Sequence, residues 1–223
     1  MGIISLEKAD NLYWLGRYSE RVYTTSRRYF TSFDIMLDQN EEYYMRYCEA
    51  LNIPDIYVDS KDFVQRYAFD TENTDSIISN LYRAYDNALV VRDYISSESL
   101  AYIQMAIYEM KKAKANIDAP LIAMQRSVDN ILACWGCIDD VVYDVVIRNI
   151  IKYGRRQERL DLLLRLRGSK TDLKRIFSEL EFYLYRSNLK FNRCAFLELA
   201  LILEQDIIDY PKALDCLEKI VVL

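Results

Sequence analysis

Apolar residues recur at three- and four-residue spacing along nearly the whole chain, the repeat of a helix with one buried face rather than the alternation of a strand. Leu12, Leu15, Val22, Tyr29, Phe33 and Leu37 trace one stripe and predict a first long helix over about residues 6–38. A short helical pair follows, interrupted by NIPDIYVDS, where Pro54 marks a loop. Thr74 and Asp75 have the chemistry of a helix cap before IISNLYRAYDNALVVRDYI, and SSES interrupts that helix or starts another. Asp118 before Pro120 predicts a further start. The segment from there to Gly136 leads into another long helix, with Gly168 as its terminating glycine. Thr171 and Asp172 open the next one, SNLKFN turns the chain, and DYPKAL starts the last. The pattern predicts an all-α chain of about eight to ten helices, a single bundle over residues 1–223, with two helical subdomains left open. No 34- or 40-residue period marks it as a solenoid.

Composition agrees. Only five glycines and three prolines occur in 223 residues, too few for a turn-rich β fold. The net charge of −5 offers no general attraction for nucleic acid or an anionic membrane. MGIISLEKAD places Glu7 and Asp10 where a secretory signal would be basic and then apolar, and Leu6 occupies the Ser/Thr position that myristoylation needs. No apolar run has the length of a membrane span, and an odd number of cysteines predicts reduced thiols in a cytoplasm. Histidine is absent, which excludes Ser-His-Asp and Cys-His catalysis, zincin helices and Glu-x-x-His metal bundles.

One charged hexapeptide is written twice: Gly16-Arg17-x-x-Glu20-Arg21 within WLGRYSER, and Gly154-Arg155-x-x-Glu158-Arg159 within KYGRRQER, 138 residues apart. On a helix the arginines and glutamate of each copy fall on adjoining turns of one face. A solvated, salt-bridged surface accounts well for a single copy, because such pairs stabilise a helix by only about 0.2–0.5 kcal/mol. The second copy shifts the balance, since this composition produces a further match by chance in roughly one of five hundred such sequences. Ile147, Ile151 and Leu162 also share a face with Gly154 and Glu158, so a carboxylate sits on an apolar surface where it needs a partner. The glycines permit close approach of a neighbouring helix or a ligand. Two such helices side by side would form either a closed ion-pair network or a socket for a carboxylate or phosphate.

ADNLYWLGRYSER, NALVVRDYISSE and YGRRQERLD together resemble the alpha-E family, bacterial all-helical proteins with Glu-Arg motifs, in motif order and over essentially the whole chain. The matching positions are Asp10, Asn11, Tyr13, Trp14, Gly16, Arg17, Glu20 and Arg21. The middle block adds Arg92, Asp93, Ser97 and Glu98, and the last Gly154, Arg155, Glu158, Arg159 and Asp161. This chain departs from the family pattern at Val22, Tyr23 and Thr24, where Ala-Glu-Asn is usual. It also has Leu89 in place of a common arginine and Leu100 in place of a tryptophan. The resemblance implies partnership with circularly permuted ATP-grasp ligases or transglutaminase-like proteins that make or modify peptide-like amide bonds, without an established catalytic role of its own.

Other constellations carry less. CWGC, Cys134 to Cys137, has redox spacing but helical surroundings on both sides, which favours core packing. Asp139, Asp140 and Asp144 miss the Asp-Asp-x-x-Asp spacing of Mg²⁺-binding prenyl-diphosphate enzymes, and no metal or cofactor is expected. Nine basic residues against three acidic between Lys152 and Arg175 invite an anionic partner, although interleaved leucines must be buried there. The tyrosines are expected to fill helix contacts, with EEYYMRY also suited to a protein interface.

The leading expectation is a non-catalytic helical partner of an ATP-grasp-type amide ligase system. In it, Arg17, Arg21, Arg155, Arg159 and the Arg92–Asp93 pair hold an anionic peptide or acidic partner element. Glu20 and Glu158 orient the arginines, Tyr13 and Trp14 wall the site, and Asp161 joins the binding set through the family resemblance. One alternative is an enzyme acting on a peptide or phosphate ester with Glu20 or Glu158 as general base. This is disfavoured because arginines lower carboxylate pKa values. The other is nucleic-acid or nucleotide binding through residues 152–175.

Overall fold

The leading stripe folds as α1, Leu6–Asp38, in a computed structural model that describes residues 4–115 and 120–221. Leu12, Leu15, Val22 and Tyr29 are buried and Phe33 is half-buried, while Leu37, at the end of the stripe, is 69% exposed. Ser5 caps the helix by accepting from the Lys8 N–H. The short pair is α2, Tyr43–Leu51, and α3, Ser60–Phe69, with Asp59 as the cap of the latter.

α4, Ile77–Val90, begins one residue beyond the expected caps. Ser76, not Thr74 or Asp75, accepts from the Ser79 N–H, and its hydroxyl also donates to the Asp70 carbonyl. The continuation through VVRDYI breaks at Val91, giving α5, Arg92–Ile95. Ser96 at φ 75° then turns the chain into α6, Ser97–Ala115. Asp118 lies outside the described residues.

α7, Pro120–Val141, runs straight through Gly136, and the break comes instead at residues 142–144. There Asp144 caps α8, Val145–Arg165, accepting from the Val146 and Ile147 N–H groups. Gly168 does close α8, its N–H donating to the Leu163 carbonyl at 2.8 Å, but Arg167 takes the left-handed conformation at φ 49°. Ser169, rather than Thr171 or Asp172, caps α9, Lys170–Leu184. α10, Arg193–Glu204, and α11, Tyr210–Glu218, complete eleven helices among the described residues, capped by Asn192 and Asp209. The one β contact among them is an isolated bridge between Phe191 and Val221. The protein is all-α, one helix over the upper expectation because α5 is a single turn.

α1 is the axis of the architecture. It packs most extensively on α8, then on α4, and touches α2, α3 and α7, while α6 and α7 pair with each other and α9 covers α8. α10 and α11 close over α8 and α9, where Gln157 Nε2 donates to the Leu217 carbonyl at 3.1 Å. Tyr29, Tyr44, Phe63 and Tyr67 stack where α1, α2 and α3 meet, and Tyr47 packs edge-on against Phe63 and Tyr67. Tyr44 and Tyr47 of EEYYMRY are therefore core residues rather than an interface.

Candidate functional site

The two hexapeptides meet. Contacts between α1 and α8 climb together, from Tyr13 stacked on Tyr153 to Arg21 at Glu158 and Arg159 over Tyr23, so the helices run side by side in the same direction. The glycines set their spacing. A Cβ on Gly16 would lie 2.2 Å from the Ile151 carbonyl oxygen, and a Cβ on Gly154 would lie 2.3 Å from that of Tyr13. Tyr13 and Ile151 each precede their own helix's glycine by three residues. The contact is thus an internal two-fold relation with the 138-residue offset of the sequence repeat. Only glycine permits backbones to approach this closely.

Close approach makes the charges reciprocal. Glu158 accepts from Arg17 Nε and Arg21 Nε, both at 2.5 Å, and Glu20 accepts from Arg155 Nε at 3.4 Å and Arg159 Nε at 2.6 Å. Both glutamates are 0% exposed. Thr24 adds a hydroxyl to Glu20 at 3.1 Å, and Tyr13 accepts from Arg17 Nη1 at 2.8 Å. Burial pushes the Glu158 carboxyl up, but Arg17 and Arg21 outweigh it and hold the group below the usual carboxylate range. Burial likewise opposes the charge on Arg17, and Glu158 more than restores it, so its pKa lies above the ordinary value. On the looser half, burial pulls Arg155 down to about 10, a shift Glu20 only partly offsets. Arg17, Arg21 and Arg155 remain charged at neutral pH.

Aromatic rings cover the cluster at both ends. Trp14 stacks on Tyr18, and the Arg17 guanidinium lies 5.4 Å from the Trp14 ring centroid. Trp135, from α7, lies 3.4 Å beneath the Arg155 guanidinium, donates through Nε1 to Ser19 Oγ at 3.1 Å and packs on Tyr23. The chain's two tryptophans thus each face one arginine of the pair.

A cleft opens on each side of the helix pair. The larger, about 650 Å³, is lined by Tyr23, Arg27, Arg28, Arg159, Leu163 and Arg175 among others. The smaller, about 230 Å³, is lined by Arg21, Thr25, Asp161, Leu162 and Arg165 from α1 and α8, with Asp75 and Asn80 facing them. Shifting those five α1 and α8 positions by 138 gives Arg159, Leu163, Tyr23, Thr24 and Arg27, all of which line the larger cleft. The clefts are mates across the same internal two-fold.

A family model described as "Alpha-E: a predicted alpha-helical domain with a conserved ER motif" matches residues 7–197, a span that includes both Glu-Arg pairs. The chain belongs to the Alpha-E family. No curated protein and no solved structure matches it.

In this Alpha-E chain the ER pairs bind one another. The arginines hold the glutamate of the opposite helix, so Glu20 and Glu158 are themselves the anions of the cluster rather than groups that orient arginines toward an outside one. Asp161 is buried but pairs with Arg165 at 2.8 Å, one turn along α8. Arg92 and Asp93 are not brought in. They lie on α5, which packs on α4 and α6, and their side chains are 63% and 87% exposed with a 3.8 Å contact to each other. Ser97 and Glu98 are exposed as well.

The cysteines of CWGC lie within one helix, where burial pushes the Cys134 thiol up to about 12 and Cys137 accepts from the Ser99 hydroxyl at 3.3 Å. Among the described residues no group of three His, Cys, Asp or Glu side chains could hold a metal ion. None of their helices is long and apolar enough to cross a membrane.

Sequence reading passed over Trp135, Ser19, Arg27 and Arg28. The tryptophan carried a signal, since it sits inside the one motif already noted at residues 134–137. Arg27 and Arg28 carried none, as adjacent arginines late in a helix read as a solvated face.

Proposed function

We propose that the chain is a non-catalytic helical binding module that holds an anionic peptide or the acidic element of a partner protein. Its partner, on the family resemblance, is a cytoplasmic ATP-grasp-type ligase or transglutaminase-like protein that makes or modifies peptide-like amide bonds. The cross-braced α1–α8 pair is the rigid frame of this module, and the larger cleft beside it is the grip.

The observation that carries this reading is the state of Arg27 and Arg28. Both are exposed in a cleft of about 650 Å³, and neither has a carboxylate within ion-pair distance among the described residues. Arg27 donates to the Tyr23 hydroxyl at 3.1 Å and lies over that ring. Phe30, Leu163 and Leu166 supply an apolar floor, so a peptide with both carboxylate and apolar side chains suits the cleft. The cytoplasmic setting is supported by five cysteines, all of them free.

An enzyme using Glu20 or Glu158 as base is a weaker reading. Both carboxylates are sealed from solvent and each is held by two guanidiniums, the reverse of a group poised to take a proton. Nucleic-acid binding through residues 152–175 also weakens, because eight of the nine basic side chains there have a carboxylate within 4 Å; Arg167 is the exception among the described residues.

Titration with an acidic peptide such as pentaglutamate, followed calorimetrically, tests the proposal. Binding that weakens with salt and falls roughly tenfold or more in Arg27→Ala/Arg28→Ala is the expected result. Binding unaffected by that double substitution, or none at low salt, overturns it. Nucleotide binding with no peptide binding would transfer the cleft to the phosphate reading.

A further inference from the structure

The smaller cleft differs in charge from its mate, and the difference identifies a ligand class. Of its ionic groups, Arg165 and Asp161 are committed to each other at 2.8 and 3.4 Å. Arg21 spends its Nε on Glu158, and its two terminal amino groups have no acceptor among the described residues. Across the cleft Asp75 has no cation within ion-pair distance among those residues, its backbone N–H alone being held by Asn73. Asn80 is 2% exposed. It donates through Nδ2 to the Ser76 carbonyl at 2.8 Å, while its Oδ1 has no partner.

What remains uncommitted is one guanidinium face, one carboxylate and one buried carbonyl acceptor. A buried acceptor without a donor costs about 1–3 kcal/mol, so a donor brought by a ligand is strongly favoured there. The set is complementary to a molecule bearing both a carboxylate and an ammonium group. A volume of about 230 Å³ lies below the usual range for drug-sized ligands of about 300–1,000 Å³, which limits the occupant to a small metabolite.

We infer that the cleft lined by Arg21, Asp75, Asn80 and Asp161 binds a small zwitterion of the α-amino acid class. The carboxylate lies against the Arg21 guanidinium, and the ammonium group lies between Asn80 Oδ1 and Asp75. In the larger cleft the position of Asp161 is taken by Tyr23, and the carboxylate that lines it, Asp172, is paired with Arg175 at 3.3 Å, so that side offers an ammonium no uncommitted counter-charge. The inference does not depend on what occupies the larger cleft.

The test is a calorimetric and thermal-shift titration of the purified chain with glycine, L-alanine, L-glutamate, L-lysine and L-phenylalanine, beside sodium acetate and ethylamine. At least one amino acid is expected to bind and raise Tm where acetate and ethylamine at equal concentration do not. Asp75→Asn and Asn80→Ala, each checked for native helicity, are expected to weaken binding roughly tenfold or more, and Arg27→Ala/Arg28→Ala to leave it unchanged. Asp75→Asn alters a half-exposed side chain that makes no bond, so it remains informative if Asn80→Ala fails to fold. The inference is overturned if none of the five amino acids binds at millimolar concentration. It is overturned equally if binding survives Asp75→Asn, or if acetate binds as well as the amino acids.

Discussion

Gly16 rests its α-carbon against the carbonyl of Ile151, and Gly154 does the same to Tyr13. This mutual seat fixes how near α1 and α8 lie, and the nearness decides which charges meet. Arginine side chains reach across to the opposite glutamate because the backbones leave no room for solvent between them. Neither hexapeptide is complete alone.

Alanine at either seat should therefore destabilise the protein, although alanine in a helix interior ordinarily stabilises by about 1 kcal/mol relative to glycine. Gly136 supplies the control, since it is also helical and a Cβ there would meet nothing within 4 Å. Urea unfolding is expected to place Gly16→Ala and Gly154→Ala below the parent and Gly136→Ala at or above it. Three equal shifts would mean that the close approach is not what the glycines provide.

Removing one charge from the buried network should cost far more than removing a surface pair. Glu158→Gln leaves Arg17 and Arg21 without a counter-charge in a sealed site, a loss of about 3–5 kcal/mol. In a chain of this size that lowers Tm by roughly 6–20 °C. Arg175→Ala, whose partners Asp172 and Glu179 are solvent-accessible, should change stability by less than about 1 kcal/mol. A double-mutant cycle between Glu158 and Arg21 is expected to give a clear coupling energy, and additive effects would contradict the geometry.

Acid should find the same site. The folded Glu158 carboxyl lies below its ordinary value of 4.5, so its contribution to stability is complete above that pH. The contribution is lost as pH falls from there through the depressed folded value. Unfolding midpoints measured from pH 7 to pH 3 should drop more steeply in the parent than in Glu158→Gln. Parallel curves would show that the carboxylate is not the acid-sensitive group.

Trp135 touches the cluster from outside the motif and offers an optical handle. Trp135→Phe removes the donor to Ser19 and the larger ring beneath Arg155, a loss of about 1–2 kcal/mol. Because Trp14 and Trp135 both face cluster arginines, tryptophan emission in the parent should change together with opening of the α1–α8 seam. Emission that changes well before helicity is lost would separate the seam from the rest of the fold.

Helix content and the two long motif helices were legible because the period of apolar positions survives without knowledge of neighbours, as Leu12, Leu15, Val22 and Tyr29 show. That Gly154 and Glu158 need a close neighbour was legible from their apolar face, where a glycine invites contact and a carboxylate requires it, but that the neighbour is the other motif was not, since nothing local to either copy names its partner. Helix ends were less so. Thr74 and Ser76 offer the same chemistry to an N-cap, and only the fold, by placing the Asp70 carbonyl near Ser76, chooses between them. Gly136 read as a break because glycine is costly in a helix, yet it stands exposed in α7. The clefts could not be read at all. Asn80, Asp75 and Asp161 come together across 86 residues of sequence, and nothing in their local spacing announces it.

The wide separation of the hexapeptides bears on how the chain is made. At roughly 5–20 residues per second, a ribosome releases Glu20 roughly 7–30 s before Arg159 is synthesised. Throughout that interval the nascent α1 carries a carboxylate and a glycine groove with nothing to seal them. Maturation of this protein therefore waits on its second half, and a message truncated before residue 155 would yield a polypeptide lacking the charges that lock its own first helix.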